Sequence, residues 1–138
     1  MGESRKSDKR RVLVVDAEER VTELVKTILE GEGYDVQAAS DAGQALWLVQ
    51  HWKPDLVLLD IALPGMDGVE IANDWHRNPS TARVPIIALS GDRRIEAKAV
   101  QMGAWSAIRK PFNVDTLLRA VERFFDRRDH PAGEAPTS

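Results

Sequence analysis

The sequence predicts an α/β fold: a doubly wound, five-stranded parallel sheet of order 2-1-3-4-5 with five helices on its two faces. Three observations support this. Short apolar runs rich in branched residues recur along the chain, with no polar residue alternating within them, as in strands buried on both sides. Amphipathic stretches of helical period lie between the runs. The chain has 138 residues, enough for about one domain, and 43% apolar with 30% charged residues is an ordinary globular balance.

The clearest strands are residues 12–15 (VLVV), 56–59 (LVLL) and 84–89 (VPIIAL); weaker runs at 34–39 and 105–108 fill the second and fifth slots. In the first helix Val21, Leu24, Val25, Ile28 and Leu29 form one stripe, and Gly31 and Gly33 end it. In the second, Ala42, Ala45, Leu46 and Val49 repeat the pattern behind Ser40 or Asp41 as N-cap, with Pro54 beyond the end. A third helix is predicted over 67–77, closed by Asn78 and Pro79, and a fourth over 92–102, closed by Gly103. The last carries Leu117, Leu118, Val121, Phe124 and Phe125 on one face. Right-handed crossovers then build the doubly wound sheet. Periodicity does not fix strand order, and 2-1-3-4-5 is the common solution at this size.

Composition narrows the function. The absence of cysteine excludes disulfides, thiolate metal sites and cysteine nucleophiles, and fits a cytoplasmic setting. No apolar run approaches the roughly 20 residues that span a bilayer, and no signal peptide opens the chain, so no membrane partner is expected. The net charge is −3, yet residues 1–11 hold +3 and residues 12–125 hold −5. An acidic domain disfavours direct nucleic-acid binding. The reading is a charged leader over 1–10, a folded domain over 11–126 and a disordered tail over 127–138.

Ligands of open α/β sheets bind beyond the carboxyl ends of the strands. There the sequence places Asp16 after the first strand, Asp60 after the third, Ser90 after the fourth and Lys110 after the fifth. Each alone has a structural reading, as a helix cap or an exposed lysine. Together they bring two carboxylates, a hydroxyl and an amine to one edge. Carboxylates beside a lysine suit a hard cation and a phosphoryl group, and an aspartate can form an acyl phosphate. Asp60 is the best nucleophile, because the central strand puts it between the others.

At these residues the sequence resembles the receiver domain of two-component response regulators, a flavodoxin-like fold. The matching segments are 12–19 (VLVVDAEE), 54–68 (PDLVLLDIALPGMDG), 85–91 (PIIALSG) and 103–112 (GAWSAIRKPF), and the resemblance spans about residues 10–126. It implies that Asp60 is the phosphoacceptor, supplied by a sensor histidine kinase or histidine phosphotransfer protein. It implies Mg²⁺ as cofactor, held by Asp16, Asp60 and the Ala62 backbone carbonyl. Ser90 would be the switch hydroxyl and Lys110 the phosphate-binding lysine, with a cis Lys110–Pro111 bond. Pro64, Gly65 and Gly68 would shape the turn after Asp60. The output would be a change of downstream protein partner, so the domain is not an enzyme in the ordinary sense.

Two positions depart from the family. Ala17 stands where a second acidic residue is usual, with Glu18 as a substitute metal ligand. Ala107 stands where an aromatic residue often couples to the switch hydroxyl; Trp105, two residues away, is a packing or contact residue. Both departures leave room for an alternative, a receiver-like interaction module that works without phosphorylation. A haloacid-dehalogenase-type phosphatase needs a second aspartate where Ala62 stands, and a flavodoxin needs a phosphate loop that DAEERV does not supply. The wheel of the second helix turns Trp47 outward, with Trp52 extending the patch if the helix continues. Such a patch would meet a partner or a second copy in a homodimer. Stand-alone receiver and piece of a longer protein read alike here.

Overall fold

The computed structural model describes residues 9–129. The elements run β1 (Arg11–Val15), α1 (Glu19–Gly31), β2 (Asp35–Ala39), α2 (Ala42–His51), β3 (Leu56–Asp60), β4 (Ala62–Leu63), β5 (Met66–Asp67), α3 (Gly68–Arg77), β6 (Ile86–Ser90), α4 (Ile95–Gln101), β7 (Ser106–Arg109) and α5 (Val114–Asp129). The main sheet is parallel with order β2-β1-β3-β6-β7. Counting only its five strands, this is the predicted 2-1-3-4-5.

Strand alternation sorts the core into two layers. Val12 and Val14 of β1 join Leu56 and Leu58 of β3 against α1 and α5. Leu13 and Val15 join Val57 and Leu59 on the opposite face, against α2, α3 and α4. All five residues of β3 are buried. Truncating one of its leucines to alanine would cost about 2–5 kcal/mol in transfer and cavity energy. The cost of burying a carboxylate at the end of such a strand is therefore met by several well-packed side chains.

The helix ends follow local chemistry. Asp41 caps α2: its Oδ1 accepts from the Gln44 N–H at 2.8 Å, while the Gln44 side chain accepts from the Ser40 N–H at 2.8 Å. This reciprocal pair satisfies two donors at once. Asp67 caps α3 through Val69 N–H at 2.8 Å. In α5 Leu117, Val121, Phe124 and Phe125 are buried, as the stripe predicts.

Several boundaries differ from the sequence reading. The fourth helix starts at Ile95 rather than 92, because the Asp92 side chain accepts the Arg94 N–H in a turn that takes the place of a first helical turn. The fifth strand covers Ser106–Arg109, leaving Trp105 ahead of it. On α1 the buried stripe centres on Thr22, Val25 and Leu29, and Leu24 stands exposed at its margin. The β4–β5 hairpin was not anticipated, since two-residue strands have no readable period. Trp52 does not extend the Trp47 surface: α2 ends at His51, and Trp52 is half-buried beneath the Arg11 guanidinium, 5.4 Å from its ring centroid.

The predicted leader and tail lie outside the described residues except at their inner edges. There α5 continues to Asp129, past the boundary at 126, and Arg10 pairs with Asp129 and lies 4.9 Å above Phe125. Among the described residues no helix is long and apolar enough to cross a membrane.

Gly68 opens α3 against the backbone of the sheet edge. A Cβ there would lie 2.6 Å from Ile61 Cα and 2.8 Å from the Asp60 carbonyl oxygen. Gly68 N–H also donates to the Ile61 carbonyl at 2.7 Å. Neither backbone segment has room to yield. We expect Gly68→Ala to destabilise the fold by about 1–3 kcal/mol through overpacking, read as a lower midpoint in urea.

Candidate functional site

Asp16 follows β1 and is fully buried. Its Oδ1 accepts from the Glu18 N–H at 2.9 Å, and its Oδ2 accepts from Lys110 Nζ at 2.5 Å. Asp60 ends β3 and is 6% exposed. Its Oδ1 accepts from the Ala62 N–H at 3.0 Å, and its Oδ2 lies 3.5 Å from Lys110 Nζ. Because β1 and β3 are neighbours, the two carboxylates come side by side; Lys110 reaches them from beyond β7, past β6. The four predicted strand ends thus share one edge, and three of their side chains meet directly.

Glu18 sits at the rim. It is the N-cap of α1, its side chain is 68% exposed, and its Oε1 is 3.8 Å from Lys110 Nζ. Ser90 ends β6, buried, and its Oγ accepts from the Asp92 N–H at 2.9 Å. The following loop thus engages the hydroxyl oxygen, and Ser90 makes no hydrogen bond to Asp16 or Asp60. The Lys110–Pro111 bond is cis, as the resemblance implied. Among the described residues no three acidic or histidine side chains converge as a metal-ligand set.

The electrostatics follow from burial. Desolvation pushes the Asp60 carboxyl above the usual aspartate range, and the nearby Asp16 adds to this; the Ala62 N–H and Lys110 oppose it. Asp60 is therefore more basic than a free aspartate. Burial works against the charge on Lys110, but the carboxylates of Asp16 and Asp60 outweigh it, and the ammonium is held more firmly protonated than usual. The site is a buried acid pair with one permanent cation.

Position 107 holds only the small Ala107 side chain, packed against the α2–α4 side of the core. Trp105 does not take its place. It precedes β7, is 50% exposed, and meets Phe124 of α5 edge-on with centroids 5.1 Å apart. Sequence reasoning missed Asp92, whose backbone and side chain both engage the site's surroundings. The available signal was an aspartate two residues after a strand-end serine, the spacing of a local side-chain turn.

The model of the response regulator receiver domain matches residues 12–122. The chain belongs to the response regulator receiver domain family. This receiver domain is 40% identical over 116 residues to the nitrogen assimilation regulatory protein NtrX of Azorhizobium caulinodans, covering 81% of this chain and 25% of that protein. It is 34% identical over 121 residues to the DNA-binding dual master transcriptional regulator RpaA of Synechocystis sp., covering 86% and 50%. The chain thus spans half or less of these two relatives. Among solved structures, the receiver domain of NtrX from Brucella abortus superposes with TM-score 0.76 at 34% identity, covering 83% of this chain and 98% of that one. A CheY-like receiver domain protein from Methanospirillum hungatei gives TM-score 0.79 at 31% identity, covering 88% and 98%. The domain is therefore a signalling module of the two-component class rather than an enzyme in the ordinary sense.

The raised Asp60 carboxyl has a consequence for stability. Its native pKa lies above the unfolded value, so the native state binds more protons and stability falls as pH rises through that window. The penalty of the buried charge grows as pH rises through that window; below the unfolded pKa it vanishes. Asp60→Asn should raise the melting temperature near pH 7 in metal-free buffer, and the gain should shrink toward about pH 4. Paired thermal melts check this, and a gain independent of pH would contradict it.

Proposed function

We propose that this receiver is a phosphoacceptor: it takes a phosphoryl group from the phosphohistidine of a sensor histidine kinase, or of a histidine phosphotransfer protein, onto Asp60, and so switches its binding to a downstream protein. The observation that supports this best is the Lys110 ammonium held between two buried carboxylates at the sheet edge. In the transfer a carboxylate oxygen of Asp60 forms the new O–P bond. The donor's N–P bond breaks, and its imidazole takes the electron pair. Asp60 enters ionised, desolvated and more basic than usual, which favours attack. Lys110 neutralises phosphoryl oxygens, and Ser90, released from the Asp92 N–H, supplies a further donor.

The donors at the cleft are all oxygen, which suits a hard dication that keeps several waters. Asp16, Asp60 and the Ala62 carbonyl would hold Mg²⁺, with Glu18 at the rim. When bound, the ion supplies positive charge against the phosphoryl oxygens. With Ala17 in place of a carboxylate, the set is one negative charge short.

The second reading, an interaction module independent of phosphate, draws on Ala17 and Ala107. Trp47 supports a protein contact under either reading: it is 57% exposed as the wheel predicted, and its ring stacks on His51 at 4.4 Å between centroids. Its occupant would be a protein partner or a second copy of this chain. RpaA is named as DNA-binding, but the charge of −5 on residues 12–125 disfavours direct contact of this domain with DNA. A cytoplasmic setting fits the lack of cysteine.

Intact mass after incubation with acetyl phosphate and Mg²⁺ tests the proposal. We expect the wild type to gain one phosphoryl group and Asp60→Asn to gain none. An unlabelled wild type would favour the phosphate-independent reading. Ala17→Asp should tighten Mg²⁺ binding by about 1–3 kcal/mol after solvent screening, measured by titration. No change would mean that Glu18 or water already fills that position.

A further inference from the structure

Beyond the cleft, one residue links Ser90 to the helix above it. Asp92 is the hub. Its N–H donates to Ser90 Oγ at 2.9 Å. Its carbonyl accepts from Arg109 Nη1 at 3.1 Å and from the Ile95 N–H at 3.2 Å. Its carboxylate accepts from Lys98 Nζ at 2.8 Å and from the Arg94 N–H at 2.7 Å. All its polar groups are thus engaged, one toward the cleft and the rest toward α4 and β7. Arg109 in turn donates to both carboxylate oxygens of Glu96 on α4, at 2.8 and 3.0 Å.

Arg109 is the register partner of Ser90 in the β6–β7 ladder and adjoins Lys110. It lies two residues from Ala107, on the same face of the strand, while Lys110 points to the other. Ala107 is too small to reach from β7 to the loop after β6. The Arg109 guanidinium spans that distance instead.

We infer that Arg109 is a positioning residue: by clasping the Asp92 carbonyl and Glu96 together, it sets how firmly the loop holds the Ser90 hydroxyl away from the cleft, and carries the hydroxyl's turn into α4. The inference rests on the phosphoacceptor reading for its trigger, but the coupling exists without phosphate. When Ser90 turns to a phosphoryl oxygen, the Asp92 N–H loses its acceptor. The loop relaxes, and the contacts to Arg109 and Lys98 that tie it to β7 and α4 weaken with it. Lys98 holds the Asp92 carboxyl below the usual range, aided by the Arg94 N–H; the Glu96 backbone N–H and then Arg109 do the same for Glu96. The latch is therefore ionised at neutral pH. Arg109 and Glu96 are exposed, with side chains 47% and 72% accessible, so the lever is small. Pairs of this kind shift a local equilibrium by about 1.5- to 5-fold.

Amide hydrogen exchange of residues 92–101 in the full chain tests this, using wild type, Ser90→Ala, Arg109→Gln and the double variant. In the unphosphorylated protein Ser90→Ala and Arg109→Gln should each speed exchange by about 1.5- to 5-fold, and the double variant no further than the larger single effect. Additive effects, or no effect of Arg109→Gln, would overturn the inference. With acetyl phosphate and Mg²⁺, the change in α4 exchange should shrink in Arg109→Gln while Asp60 is still labelled. An undiminished change would overturn the inference and leave the phosphoacceptor reading standing. Absence of label on wild-type Asp60 would sink that reading and leave the unphosphorylated cycle to decide the coupling.

Discussion

Two aspartates with almost no exposure to water stand side by side at the ends of β1 and β3, and one ammonium answers both. Desolvation and mutual repulsion each disfavour ionising such a pair, and Lys110 is what makes the arrangement tolerable. Much of the fold serves this contact. Parallel pairing of β1 with β3 brings the carboxylates together, and β7 lies two strands away, across β6. Lys110 must therefore reach across the end of β6, which is where Ser90 sits. The buried runs of β1, β3 and β6 hold the edge rigid against the repulsion it contains. Gly68 lets α3 begin in direct contact with the backbone of Asp60 and Ile61.

Most of this was legible in the sequence, for a physical reason. A strand buried on both faces needs an uninterrupted apolar run, so 12–15 and 56–59 announced themselves, and the polar residue ending each run marked the cleft. The amphipathic stripes located α1, α2 and α5, and outward-facing Trp47 followed from the same wheel. What was not legible depends on single side chains rather than on periodicity. The start of α4 is displaced because one aspartate, Asp92, caps a turn and competes with the helix for the same N–H groups. The β4–β5 hairpin, two residues a side, is too short to alternate. Trp105 falls just ahead of β7, although its N–H already donates to the Ile86 carbonyl at 2.7 Å, because Gly103, at positive φ, turns the chain toward the strand only two residues earlier. For the site, Asp16, Asp60, Ser90 and Lys110 were found as strand ends, while the role of Arg109 needed the cross-strand register with Ser90.

The two departures at Ala17 and Ala107 thin the site in different ways. Ala17 leaves a carboxylate out of a cleft that already has trouble holding two, so less negative charge is buried there, and a dication at the proposed site would be held less firmly. Ala107 removes bulk from the face of β7 beneath α4, and the contact between strand and helix is made by charge instead, through Arg109 and Glu96. A packed ring and an exposed ion pair are not equivalent couplers. A ring transmits displacement through excluded volume, which is steep over a fraction of an ångström. An ion pair transmits it through a field that falls off gradually and is shared with solvent.

This difference separates the domain into two electrostatic layers. The Asp16–Lys110 contact is enclosed, so dissolved ions screen it little. The Arg109–Glu96 clasp stands in solvent, where salt at physiological strength screens charges over about 8 Å and competes for both partners. Rising ionic strength therefore loosens the link between Ser90 and α4 before it touches the cleft in which Asp60 lies. With Asp60 as the proposed acceptor, its chemistry would respond to burial and to the charge gathered around it, and the proposed communication through Arg109 would respond to the medium outside. A receiver that carried its signal through a buried ring would not divide in this way. Here the division follows from the placement of one guanidinium at the exposed end of the edge strand, two residues from an alanine.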